Sequence, residues 1–146
     1  MEDAPKINIW LQSEPIDEQQ LMTAQNASCG AFIHFFGKTR QECHNVHGEL
    51  AGLYYTAHDE LAAEALHEIA TQIATTHNCQ NVTICHRLGM VDVGESSVAV
   101  GVSSPHRASA LRATEEIMNL LKSKVPIWKE EHWASGKTWS EGTLIT

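Results

Sequence analysis

The sequence predicts an α+β fold: a single domain over residues 1–146, with a mixed or antiparallel sheet, two long amphipathic helices and a C-terminal hairpin. Three observations carry this. Two segments, 59–76 and 106–124, repeat apolar residues at helical spacing, while several others alternate apolar and polar residues with period two. Their order reads strand, helix, strand, strand, helix, several strands, helix, hairpin. A chain of 146 residues with 42% hydrophobic and 19% charged residues is one domain's worth and buries a real core.

Ile7, Ile9 and Leu11 alternate with Asn8, Trp10 and Gln12, the pattern of a half-buried strand over Lys6–Gln12. Ser13-Glu14-Pro15 opens a short helix through about Ala24, with Pro15 in its first turn. Gly30 to Phe36 predicts a buried strand, which Gly37 breaks into a loop carrying Lys38, Thr39 and Arg40. Cations directly after a buried strand lie at the sheet's rim, where a ligand reaches them, although on local evidence a solvated turn is the plainer reading. Glu42 to Gly48 reads as a mobile loop, in which Cys43 and His47 form half of a zinc site with no second ligand pair at metal spacing.

Leu50 to Tyr55 is a strand. Thr56 and Asp59 resemble a capping box opening a helix to Thr76, whose apolar face is Ala62, Ala65, Leu66, Ile69, Ala70 and Ile73. Asn81 to Leu88 alternates as a strand, with His86 a hydrogen-bonded structural histidine rather than a catalyst. In Ser97 to Val102, Val98, Val100 and Val102 face one way, and the small Ala99 and Gly101 leave room for a helix on the other. The chain then reaches Ser103-Ser104-Pro105-His106-Arg107. Ser104 is suited to cap a helix and Pro105 to its first position, which sets His106 and Arg107 in the opening turn. Cations among outward-pointing N–H groups at the positive end of a helix dipole are at odds with their surroundings, and a phosphate or carboxylate resolves the conflict.

The apolar stripe of this helix is Leu111, Ile117, Met118, Leu120 and Leu121, with Ala108, Ala110 and Ala113 between. Pro126 ends it near Ser123 or Lys124. Lys122 lies in the last turn and Lys129 just past the proline, on a strand that begins the terminal hairpin, where core is the default reading of the Trp residues. His106 and Lys122 are sixteen residues apart, roughly 24 Å along one helix. One small molecule cannot touch both ends. If the two sets of cations serve one site, a second copy of the chain supplies one of them, and a symmetric dimer with composite sites follows.

Charge and motifs narrow the function. A net charge of −8 argues against nucleic acid or an anionic membrane as partner. The cations concentrate at Lys38, Arg40, Arg107, Lys122, Lys124 and Lys129, which suits a local anion pocket in an acidic protein. No apolar run reaches membrane-span length, and the N-terminus has no signal-peptide pattern, so the cytosol or an equivalent reducing compartment is expected. Cys29, Cys43, Cys79 and Cys85 read accordingly as free thiols. There is no Gly-rich phosphate loop, no GxSxG and no HExxH, so neither a metal nor a cofactor is expected. An enzyme with this inventory works with Arg, Lys and His, which bind anions, polarise oxygens and move protons.

Four blocks in order make the chain recognisable: Gly30-Ala31-Phe32 leading to Gly37-Lys38-Thr39-Arg40, then His86-Arg87-Leu88-Gly89, then Ser103 to Arg107, then Lys122-x6-Lys129 around Val125-Pro126-Ile127-Trp128. From Ile7 to Trp139 the chain resembles the catalytic (large) subunit family of molybdopterin synthase. The resemblance implies a hammerhead-like α+β fold. It also implies a reaction, in which two sulfurs are inserted into a cyclic pyranopterin monophosphate. The sulfur arrives as a thiocarboxylate on the C-terminal Gly-Gly tail of a small ubiquitin-like subunit, bound to a homodimer to give a heterotetramer. By the same resemblance Lys122 and Lys129 are the catalytic residues, and Arg40, His106 and Arg107 hold the substrate's phosphate and oxygens, the last two from the other copy. Lys38, Thr39, Glu130 and Glu131 join the substrate pocket. The chain departs from the family at Thr56 and His58, where an acidic residue and a Tyr are usual, and in the tail beyond Trp139, where many members carry a cation. Three other readings stay open: a non-catalytic anion-binding module, a metal-dependent hydrolase using Cys43 and the histidines, and an inactive scaffold for the small subunit.

Overall fold

The computed structural model describes residues 4–21 and 27–140. In chain order the elements are β1 (Lys6–Gln12), α1 (Glu18–Leu21), β2 (Ala31–Lys38), β3 (Cys43–His44), β4 (Gly48–Ala57) and α2 (Asp59–His77). Then follow β5 (Asn81–Arg87), β6 (Gly89–Asp92), β7 (Ser96–Ser104), α3 (Arg107–Lys124), β8 (Ile127–Trp133) and β9 (Gly136–Trp139). They form two sheets. One has the order β1-β5-β7-β2, with β1 parallel to β5 and the other pairs antiparallel. The other is wholly antiparallel in the order β3-β4-β8-β9, with β6 on β4 as well. The predicted α+β architecture and terminal hairpin are both present.

The two long helices lie against the valine side of β7 and share one core. Leu66, Ile73, Val82, Ile84, Val100, Val102, Ile117 and Leu121 are all fully buried in it. His77 on α2 meets Glu116 on α3 at 2.6 Å, tying the helices together near the end of α2. On the opposite side of β7, Leu21 of α1 lies over Ala99 and Gly101, the small residues that leave room for it.

Several boundaries differ from the sequence reading, each for a local reason. α1 starts at Glu18, because the Asp17 carboxylate accepts from the backbone N–H groups of Gln19 and Gln20 and caps it; the predicted extension to Ala24 lies outside the described residues. β2 continues through Gly37 to Lys38 with a bulge between them. Gly37 is needed there for space rather than for a turn, since a Cβ would stand 2.7 Å from Val98 Cγ1. Most of β2 is half-buried rather than buried. The expected loop after Arg40 contains β3, folded back on β4. α2 is capped by the His58 ring, whose Nδ1 accepts from Leu61 N at 3.3 Å, and not by Thr56, which stays within β4 opposite Trp128. In α3 the N-cap is His106 and the first helical residue is Arg107. Ser104 braces the cap instead of being it, its hydroxyl accepting from His106 N and donating to His106 O.

The buried stripe of α3 is Ala110, Ala113, Thr114, Ile117 and Leu121; Leu111 and Ala108, expected in it, are exposed. Trp133 is core, whereas Trp139 is 61% exposed. Ile117→Ala is therefore expected to cost about 2–5 kcal/mol, and Leu111→Ala no more than about 0.5 kcal/mol. Urea unfolding followed by circular dichroism measures both, and equal costs would contradict this placement of the helix face.

Candidate functional site

The bulge after Gly37 turns the end of β2 toward the C-terminal turn of α3, and the start of β8 returns beneath both. A cavity of about 440 Å³ opens between them. Lys38 and Arg40 come from β2 and the loop after it, Lys122 from α3 and Lys129 from β8. Tyr55, His86 and Ser97 are contributed by β4, β5 and β7. Four cations from two distant stretches of the sequence, Lys38 and Arg40 with Lys122 and Lys129, thus share one concavity. A larger groove of about 820 Å³ runs between α2 and α3, but Lys124 is its only Lys or Arg among the described residues. The chemistry selects the smaller cavity.

Strand and helix periods explain who faces it. Lys129 pairs with Tyr55 and Glu131 with Leu53, so this side of β8 shares the cavity face of β4. Glu130 points the other way, onto His132 at 2.6 Å, and His132 stacks on Tyr54. Of the two acidic neighbours expected in the pocket, only Glu131 is on the face of Lys129. Its carboxylate accepts from Thr138 Oγ1 at 3.0 Å, and Thr138 in turn accepts from the Trp133 indole. On α3, Met118 and Lys122 are one turn apart and both line the cavity. Met118 and Leu121 read from the sequence as core, yet they wall the site. Tyr55, Phe35 and Ser97 were missed; the signal for Tyr55 was its register opposite Lys129, which only strand pairing reveals.

The site is electrically coupled. Burial holds the Lys129 ammonium below the ordinary lysine pKa; Glu131 and Glu42 oppose this, and the nearby Lys122 and Arg40 charges add to it. Arg40 reaches Glu42 at 2.8 Å across the rim with its side chain 82% exposed, and Lys38 pairs with Glu18 of α1 at 2.9 Å. Thr39 is buried and does not line the cavity: its hydroxyl donates to Val91 O, and its backbone holds Gly94 and Glu95 in the turn before β7. His106 and Arg107 are exposed at the other end of α3 and take no part in this cavity.

At the floor, His86 is 1% exposed and its Nδ1 meets the Arg87 carbonyl at 2.8 Å. A carbonyl only accepts, so Nδ1 carries the proton. Burial depresses the ring's pKa to about 4. The Arg87 peptide is itself fixed, its guanidinium bonded to Glu95 and to Ser13 O. Among the described residues no group of three His, Cys, Asp or Glu side chains is arranged to hold a metal.

Residues 11–124 match the family described as MoaE protein. The chain belongs to the MoaE family. It is 37% identical over 137 residues to the molybdopterin synthase catalytic subunit of Haemophilus influenzae, covering 92% of this chain and 90% of that one. The fold is similar to the crystal structure of molybdopterin synthase from Staphylococcus aureus, with a TM-score of 0.79 and 32% identity over 96% of this chain and 98% of that one. A protein–protein complex of subunits 1 and 2 of molybdopterin-converting factor from Helicobacter pylori shares the fold at 21% identity, with a TM-score of 0.74 over 93% of this chain and 90% of that one.

For this MoaE chain the buried imidazole gives a signed pH dependence. The unfolded ring titrates near 6.5 and the folded ring near 4, so its contribution to stability is complete above pH 6.5 and is lost as pH falls toward 4. Relative to His86→Gln, the wild type is expected to lose on the order of 3 kcal/mol between pH 7 and 4. Denaturant titrations at a series of pH values check it; parallel curves would mean that folding leaves the ring's pKa unchanged.

Proposed function

We propose that this chain is the catalytic subunit of a molybdopterin synthase. It acts as a sulfurtransferase in the cytosol that converts cyclic pyranopterin monophosphate into dithiolene-bearing molybdopterin. The observation that carries the reading is the convergence of Arg40, Lys122 and Lys129 on one cavity with no cysteine thiol beside them among the described residues. A site made of cations binds anions and moves protons; it does not itself supply sulfur. The sulfur is imported as the thiocarboxylate at the Gly-Gly end of a small ubiquitin-like subunit, the counterpart of the two-subunit complex in Helicobacter pylori.

Each residue then has a task. Lys122, at the exposed end of α3, faces the incoming thiocarboxylate and offsets its charge as sulfur attacks. Lys129 orients the pterin and transfers a proton. Its lowered pKa brings it closer to neutrality than an ordinary lysine and makes it the better donor. Glu131 supports Lys129 from the same strand face. Arg40 takes the substrate's phosphate, in place of its contact with Glu42, and Lys38 extends the positive rim. His106 and Arg107 serve the same phosphate from the second copy, because a rigid helix keeps them roughly 24 Å from their own Lys122. The working unit is a homodimer with a small subunit at each site.

Lys122→Ala is expected to abolish dithiolene formation from thiocarboxylated small subunit and cyclic pterin, while the protein stays folded and dimeric. An anion-binding module without turnover would instead keep all its measurable behaviour. Mixed dimers test the shared site directly. Lys122→Ala and Arg107→Ala chains, each inactive alone, are expected to recover about a quarter of wild-type activity when refolded together at equal ratio, since half the dimers are mixed and each has one intact site of two. Absence of recovery would rule out a site shared between copies.

A further inference from the structure

The floor of the cavity offers something the rim does not. With its proton committed to the Arg87 carbonyl at 2.8 Å, His86 has a bare lone pair on Nε2, and no hydrogen bond to that atom is found among the described residues. The ring is 1% exposed, meets Tyr55 edge-on at a centroid distance of 5.0 Å and lines the cavity. The neighbouring Ser97 hydroxyl is engaged elsewhere, donating to the Gly37 carbonyl at 3.2 Å. An unpaired acceptor on a residue that lines the cavity is open to a donor from a bound molecule.

We propose that His86 is a further substrate-binding residue, whose Nε2 accepts a hydrogen bond from an N–H or O–H of the pterin ring at the cavity floor. The assignment rests on the synthase reading above. It gives the site a direction: phosphate at Arg40 on the cationic rim, and a ring donor at the neutral bottom. The groups facing the imidazole agree with this. Burial keeps the ring neutral at pH 7, outweighing the Arg87 carbonyl, which favours the charged form, and Lys122 and Lys129 line the same cavity.

The test uses the wild-type dimer with its thiocarboxylated small subunit and cyclic pyranopterin monophosphate. His86→Phe is expected to raise KM for the pterin about tenfold with kcat little changed, the pattern of a lost binding contact. His86→Gln, whose side-chain carbonyl reaches nearly the depth of Nε2, is expected to recover most of that loss. Binding of inorganic phosphate alone should be the same in all three. Because either variant could misfold, the wild type is also labelled at its histidine ring nitrogens, and the Nε2 resonance of His86 is expected to move on adding the pterin and to stay still on adding phosphate. An unmoved resonance, or an unchanged KM in folded His86→Phe, overturns the assignment while leaving the synthase intact. A wild-type complex that makes no dithiolene overturns the functional reading beneath it.

Discussion

Ala110, Ala113, Ile117 and Leu121 are completely buried, so α3 is held against the sheet along one face and can neither roll nor slide without opening the core. That single packing contact fixes the address of every cation on the helix. Lys122 follows Leu121 directly and is turned to the cavity wall, while Arg107 starts the helix on the far side. A helix does not bend back on itself, so the separation of its ends is a constraint of bond geometry that no loop rearrangement removes. On the proposed function, in which both ends serve one site, assembly from two copies satisfies it.

The electrostatics build on that frame. The chain carries eight net negative charges, yet one cavity gathers Lys38, Arg40, Lys122 and Lys129. Like charges held together raise the free energy of the empty site, and the structure offsets this with carboxylates at the edge: Glu18 on Lys38, Glu42 on Arg40, and Glu131 near Lys129. These exposed pairs are worth little individually and are easily exchanged for a substrate phosphate. Lys129 is different, because it is half-buried and depressed by its surroundings, a condition suited to proton transfer rather than simple attraction.

What the sequence made legible was governed by period. Alternation located β1, β5 and β7, helical spacing located α2 and α3, and Pro126 located the end of α3, because each depends on burying one face. What it concealed depended on partners distant in the chain. Leu111 matched an apolar pattern but sits on the outer side of α3, 54% exposed. Gly37 looked like a breaker and is a spacer for Val98. Glu130 and Glu131 were both expected in the pocket, yet alternation along β8, borne out by its pairing with β4, puts only Glu131 on the face of Lys129. The caps at Asp17, His58 and His106 replaced better-looking Ser and Thr candidates, because helix starts are decided by where the preceding strand delivers the chain.

The requirement for an outside sulfur follows from the fate of the protein's own thiols. Cys85 and Cys79 are buried, and burial raises them to about 12 and about 11, with the neighbouring Cys29 adding to the effect at Cys79. Such groups remain protonated at neutral pH and are poor nucleophiles. Cys29 and Cys43 lie outside the cavity lining. On the proposed function the thiocarboxylate arrives as an anion already, and Lys122 draws it in beside the Arg40 that takes the substrate's phosphate. The cationic cavity therefore does two jobs with one set of charges, recruiting both reactants and leaving the protein chemically unchanged at the end of each transfer.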